Sequence, residues 1–186
     1  FPEGMNYQDR LYLNDGKGGF TLKSGSFLIS HTNCGIAIPL YYDKDGKLDI
    51  FICSRSEPQQ YGIAPKSFLY HNEGNGNFKE VSTTVAPFLM NLGMITGAVY
   101  SNVMGSSEPE LVITGEWMYP HIYTFNGKQF IEQKSGLENQ LGWWQTVVAA
   151  DDPVRCHAGG PPGSLRSGRA VPGSTVRLQG RRHRCA

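Results

Sequence analysis

GIAIPLYYDKDGKLDIFIC, Gly35 to Cys53, carries three carboxylates within the seven residues DKDGKLD and is apolar on either side. So much charge in so short a span fits neither a buried strand nor the apolar face of a helix, and Gly46 permits a sharp reversal, so the spacing predicts a tight loop. Oxygen ligands at alternate positions converge on one point when a chain curls around it, as a hard cation such as Ca²⁺ requires. Asp43, Asp45 and Asp49 have that spacing, and the carbonyl of Lys47 is placed to join them. Leu48 to Cys53 follows as an apolar, β-branched and aromatic run that reads as a strand. The loop is therefore pinned between strands, unlike a helix-flanked calcium hand with its closing Glu at about position 12. A solvated turn is the competing reading of the same residues, because Asp-Gly pairs are ordinary hairpin formers.

Working outward, the 186 residues suffice for one domain of ordinary size. The net charge of +1 averages two unlike pieces: residues 1–152 carry −6, and residues 153–186 carry seven arginines, no acid and no lysine. No apolar run approaches the roughly 18 residues of a membrane-spanning helix. The chain begins at Phe1 without a signal-like segment, as expected of a fragment or processed product. Cys34, Cys53, Cys156 and Cys185 lack metal-knuckle spacing and read as thiols, with Cys34 and Cys53 expected to be buried in strands.

A unit recurs along the chain. LYLNDGKGGF, Leu11 to Phe20, reads as strand, glycine-rich turn and return strand; LYHNEGNGNF, Leu69 to Phe78, repeats it 58 residues later; and IYTFNGKQF, Ile122 to Phe130, is a shortened third copy, its Phe 52 residues after Phe78. Two further strands lie between hairpins: Gly35 to Ile38 with Leu48 to Cys53, then Gly97 to Tyr100 with Glu110 to Gly115, while Trp144 to Ala150 opens a third unit. Four short strands per repeat is the arithmetic of β-propeller blades. Met90 to Met94 and Ser135 to Gly142 read as connections, and nothing reads as a long helix.

These motifs resemble the FG-GAP or VCBS repeat family, and most closely its bacterial branch related to cartilage acidic protein, with the integrin alpha propeller similar in outline. The family's acidic loop, D-x-D-x-D-G-x-x-D, falls on Tyr41 to Asp49, and its hairpin, R-L-Y-x-N-D-G-x-G-x-F, on Arg10 to Phe20 and Ser67 to Phe78. Leu111 to Met118 and Gly142 to Trp144 also resemble that branch, so the likeness runs from about Arg10 to Asp152. It implies an all-β, incomplete propeller over residues 1–152, two blades and the start of a third, with calcium as a structural ion. It further implies an extracellular, periplasmic or outer-membrane-associated setting within a larger propeller chain.

The departures from the pattern carry their own expectations. Tyr41 stands where the first loop ligand belongs, which weakens binding. In the second unit Ser101 to Glu110 lacks the DxDG core, which predicts no metal and a loop held by turn hydrogen bonds. After Asp151 the third unit breaks off, and residues 153–186, with six glycines and four prolines, read as disordered or as a frame artefact. Arg181 to Arg184 would attract phosphates, but no aromatic residue lies among them to stack on a base, so nucleic acid is not the expected partner.

Catalysis is not expected. His31, His71 and His121 have no partner at ligand spacing in the sequence and read as surface or edge residues, and no Ser-His-Asp order or phosphate loop stands out. Glu116, Trp117, Tyr119, Trp143 and Trp144 are the candidate binding surface for a glycan or protein ligand, against the alternative that these rings are wedges between blades. The expected function is a calcium-stabilised, non-catalytic scaffold for extracellular recognition; the alternative is a non-catalytic module of a larger carbohydrate-directed enzyme.

Overall fold

A computed structural model describes residues 7–151, 164–165 and 174–182, with side-chain surroundings described through residue 150. The fold is all-β, with three antiparallel sheets of two, four and seven strands, and the chain divides into two compact units, Phe1–Met94 and Ile95–Ala186. Among the described residues no helix is long and apolar enough to cross a membrane.

The first unit opens with the hairpin β1 (Leu11–Asn14) and β2 (Phe20–Lys23), in register from Leu11 opposite Lys23 to Asn14 opposite Phe20. Side-chain oxygens replace missing ladder bonds in its turn: Asn14 Oδ1 accepts from the Gly16 amide at 2.7 Å, and Asp15 Oδ1 accepts from the Lys17 and Gly19 amides. The sheet that follows is a meander of β3 (Asn33–Leu40), β4 (Asp49–Ser56), β5 (Phe68–Gly74) and β6 (Asn77–Glu80). Phe51, Ile52 and Cys53 on β4 are all buried, which explains a continuous apolar run there in place of alternation. Beyond β6, helix α1 (Ser82–Val85) and a 3₁₀ turn (Pro87–Met90) fold back on the sheet. There Ser82 Oγ accepts from the Leu69 amide at 2.8 Å, and the Leu89 carbonyl accepts from the Ser67 amide. Cys53 is a buried thiol as expected, but Cys34 is exposed. Register shifts on both sides of Cys34, against Ser54 and Cys53, turn it out of the alternation.

The second unit repeats the meander with β7 (Met94–Ser101), β8 (Glu110–Met118), β9 (His121–Phe125) and β10 (Phe130–Glu132). Its sheet is longer than a four-stranded unit because β11 (Gly142–Asp151) pairs with the C-terminal end of β8, Gly142 opposite Met118 and Trp143 opposite Glu116. Val103, Val112, Ile122 and Val147 form a buried cluster, with Val99 and Ala149 against it.

Composition predicts no regular structure beyond Pro153, yet the described residues there are strands: β12 (Ser164–Leu165) and β13 (Ser174–Arg182). Nine residues of β13 pair antiparallel with β11, from Gly142 opposite Arg182 to Asp151 opposite Ser174. An open strand edge offers main-chain donors and acceptors to any extended partner, and Val176 and Leu178 supply period-two alternation within an otherwise polar segment. The remainder of 153–186 lies outside the described residues.

Gly97 on β7 marks the tightest approach in this unit. A Cβ there would lie 2.9 Å from the Val147 amide nitrogen, 3.0 Å from the Thr146 Cα and 2.9 Å from Thr114 Oγ1. Two of these are backbone atoms that a rotamer change cannot move, so Gly97→Ala is expected to destabilise by roughly 1–3 kcal/mol in urea denaturation. An unchanged midpoint would show that β7 and β11 do not meet at this distance.

Candidate metal centre

The acidic loop is the connection from Leu40 at the end of β3 to Asp49 at the start of β4, two residues that face each other in register. Its curl is local. Asp43 Oδ1 accepts from the Asp45 amide at 3.1 Å, and Asp45 Oδ1 accepts from the Lys47 amide at 2.8 Å. Lys44 and Gly46 take left-handed backbone angles, φ +63° and +82°. Only Gly46 does so without steric cost, which is why a glycine belongs there.

Asp49 is the unusual member, since its residue surface is 0% exposed. Its Oδ1 accepts from the Asn72 amide at 2.8 Å, while Oδ2 is buried with no hydrogen-bond partner. Asn72 also donates through Nδ2 to the Leu48 carbonyl at 2.9 Å, so β5 is tied to the loop by two bonds from one residue. Burial raises the pKa of Asp49, its Asn72 bond opposes the rise, and the charges of Asp43 and Asp45 add to it. The buried Tyr42 hydroxyl is pushed up as well, first by burial and then by Asp49, Asp43 and Asp45.

His71 completes the group. Ile50 pairs with Tyr70 between β4 and β5, so the next residues along the ladder, Asp49 and His71, face each other. His71 Nδ1 lies 3.1 Å from Asp43 Oδ2 and 3.2 Å from Asp49 Oδ1, but it forms no hydrogen bond. One ligand atom from each of Asp43, Asp49 and His71 falls within 4.8 Å of the other two, a cluster able to coordinate a divalent ion.

Of the residues expected to form the cation site, the structure brings together Asp43 and Asp49. Asp45 instead pairs with Lys47, Oδ2 to Nζ at 2.9 Å, and reaches only to 4.0 Å from His71 Nε2. That hydrogen bond lowers the pKa of Asp45 and raises that of Lys47. His71 was read from sequence as a lone edge residue; it stands among carboxylates because the β4–β5 register places it there. His121, read the same way, is buried, its Nδ1 2.7 Å from Glu132 Oε1 and its ring 4.1 Å from that of Tyr119.

The aromatic set divides. Trp144 is buried and donates from Nε1 to the Met118 carbonyl at 3.1 Å, so it is a core residue, and Glu116 is buried too. Trp117 is half exposed with a left-handed φ of +56°, and its ring centroid lies 5.9 Å from that of Trp143, whose own Nε1 is buried without a hydrogen-bond partner. Tyr119 donates to Glu132 Oε1 at 3.1 Å.

No protein-family model matches the chain, and a search of the curated proteins finds no match.

The second unit supplies an internal comparison. Glu110 occupies the place of Asp49 at the start of β8, and it too is buried. Its longer side chain reaches into its own loop: Oε2 accepts from the Val103 and Met104 amides at 2.8 and 3.3 Å, and Oε1 accepts from Ser106 Oγ at 2.6 Å. These are the turn hydrogen bonds expected from the missing DxDG core. Glu110→Ala strands three donors in the loop and is expected to cost about 3 kcal/mol in chemical denaturation, equally with and without divalent cations. A loss below about 0.5 kcal/mol would mean that these donors find water instead.

Proposed function

We propose that this chain is a non-catalytic β-repeat scaffold of the propeller-blade type whose Asp43–Asp49 loop is clamped by a divalent cation, calcium being the ion favoured by its oxygen donors. The observation that carries the reading is Asp49, a carboxylate buried at the junction of loop, β4 and β5, with one oxygen unpartnered beside Asp43 and His71. A buried ionised carboxylate is costly unless a counter-charge accompanies it. A cation at this point offsets that cost and cross-links β4 to β5.

The blade reading draws support from two four-strand meanders of the same order, β3 to β6 and β7 to β10, and from repeated turns in which an asparagine oxygen accepts from amides ahead of it, Asn14, Asn72 and Asn126. Resemblance to FG-GAP and VCBS repeats supplies the wider proposal: recognition of a protein or glycan outside the cytoplasm, with Trp117 and Trp143 at the contact face and further blades completing the ring. Calcium binding near millimolar affinity suits such a setting, where the ion is abundant.

The test is calorimetric titration with Ca²⁺ and thermal melts of the wild type and Asp49→Asn. Asparagine keeps an oxygen for the Asn72 amide and removes the buried charge. The wild type is expected to gain about 1.4 kcal/mol at ten times the dissociation constant, and Asp49→Asn to be at least as stable as wild type in chelator yet unresponsive to the ion. A wild type with no heat and no shift at several millimolar Ca²⁺, or a variant that responds equally, would leave DKDGKLD as a turn only.

A further inference from the structure

The imidazole of His71 is not explained by a calcium loop. Calcium takes oxygen, whereas imidazole nitrogen favours borderline first-row ions such as Zn²⁺. Nδ1 lies 3.1 Å from Asp43 Oδ2 and 3.2 Å from Asp49 Oδ1, so one ion can meet the nitrogen and both carboxylates together. His71 Nδ1 and the second Asp49 oxygen, Oδ2, are buried without hydrogen-bond partners, and Asp49 has no exposed surface at all. A buried polar atom without a hydrogen-bond partner calls for one, and a metal ion beside both supplies it.

We infer that Asp43, Asp49 and His71 form a mixed oxygen–nitrogen centre that takes a borderline first-row divalent ion of the zinc class more tightly than calcium. The inference rests on the reading of this loop as a cation site. The two ions share carboxylates, so they compete: calcium holds the loop through oxygens alone, and the zinc-class ion adds the His71 bond. Asp45, paired with Lys47 at 2.9 Å, stands outside this set of three ligands, and water would complete the shell.

The full chain is titrated with ZnCl₂ or CaCl₂ while NMR follows the backbone amides of Asp45 and Asn72 and the imidazole nitrogens of His71. Site-resolved signals are required because Cys156, His157, His183 and Cys185 offer zinc other ligands. Zinc is expected to move all three signals with a dissociation constant at least about ten-fold below that of calcium, which moves the amides and leaves the His71 nitrogens nearly unshifted. His71→Gln is expected to lose about ten-fold or more in zinc affinity and to hold its calcium affinity within about three-fold. Should that variant not fold, the His71 nitrogen signals of the wild type decide the matter. Zinc that binds no tighter than calcium, or that leaves the His71 nitrogens unmoved, overturns the inference while calcium-shifted amides preserve the cation site. Amides that respond to neither ion overturn both.

Discussion

A carboxylate with no exposed surface sits where loop, β4 and β5 meet, and the local architecture follows from how its charge is compensated. Asp49 draws the Asn72 amide to one oxygen, which fixes the end of β5 against the first residue of β4. Its other oxygen has no hydrogen-bond partner, and neither has His71 Nδ1, which lies 3.1 Å from Asp43 Oδ2 and 3.2 Å from Asp49 Oδ1. Burial raises the pKa of Asp49 and the charges of Asp43 and Asp45 add to the rise, while the Asn72 bond and His71 oppose it, so the carboxylate charge is held against a cost that its neighbours offset only in part.

The second unit solves the same problem with one extra methylene. Glu110 starts β8 as Asp49 starts β4, but its longer reach lets both oxygens accept hydrogen bonds from Val103, Met104 and Ser106 in its own loop. The shorter side chain of Asp49 is buried beside Asp43 and His71 instead. Two corresponding positions in two meanders thus differ in whether the loop's own donors take both carboxylate oxygens, as at Glu110, or leave one without a partner, as at Asp49.

Much of this was legible in the sequence, for local reasons. Glycine-rich turns, the apolar run of β4 and the recurring hairpin are short-range signals, and the strands follow them closely. The role of His71 was not legible, because it depends on the register of two strands separated by the long connection from Glu57 to Ser67. Asp45 has the spacing of a ligand but is captured by Lys47, two residues on, a competition that spacing alone does not resolve. The aromatic set contained a signal that would have divided it: consecutive strand residues face opposite sides, so Trp143 and Trp144 cannot both present to the same surface. Residues 153–186 were read as disordered or as a frame artefact from their glycine and proline content, yet the described residues Ser174–Arg182 pair at an open edge, which uses the backbone.

The central claim is that a cation compensates Asp49, and a crystal structure of the full chain grown with several millimolar calcium tests it most directly. The account predicts an ion bonded to oxygens of both Asp43 and Asp49 at about 2.4 Å, with His71 at the edge of the shell. Density for no ion, with a protonated His71 donating hydrogen bonds from Nδ1 to those carboxylates, would contradict it.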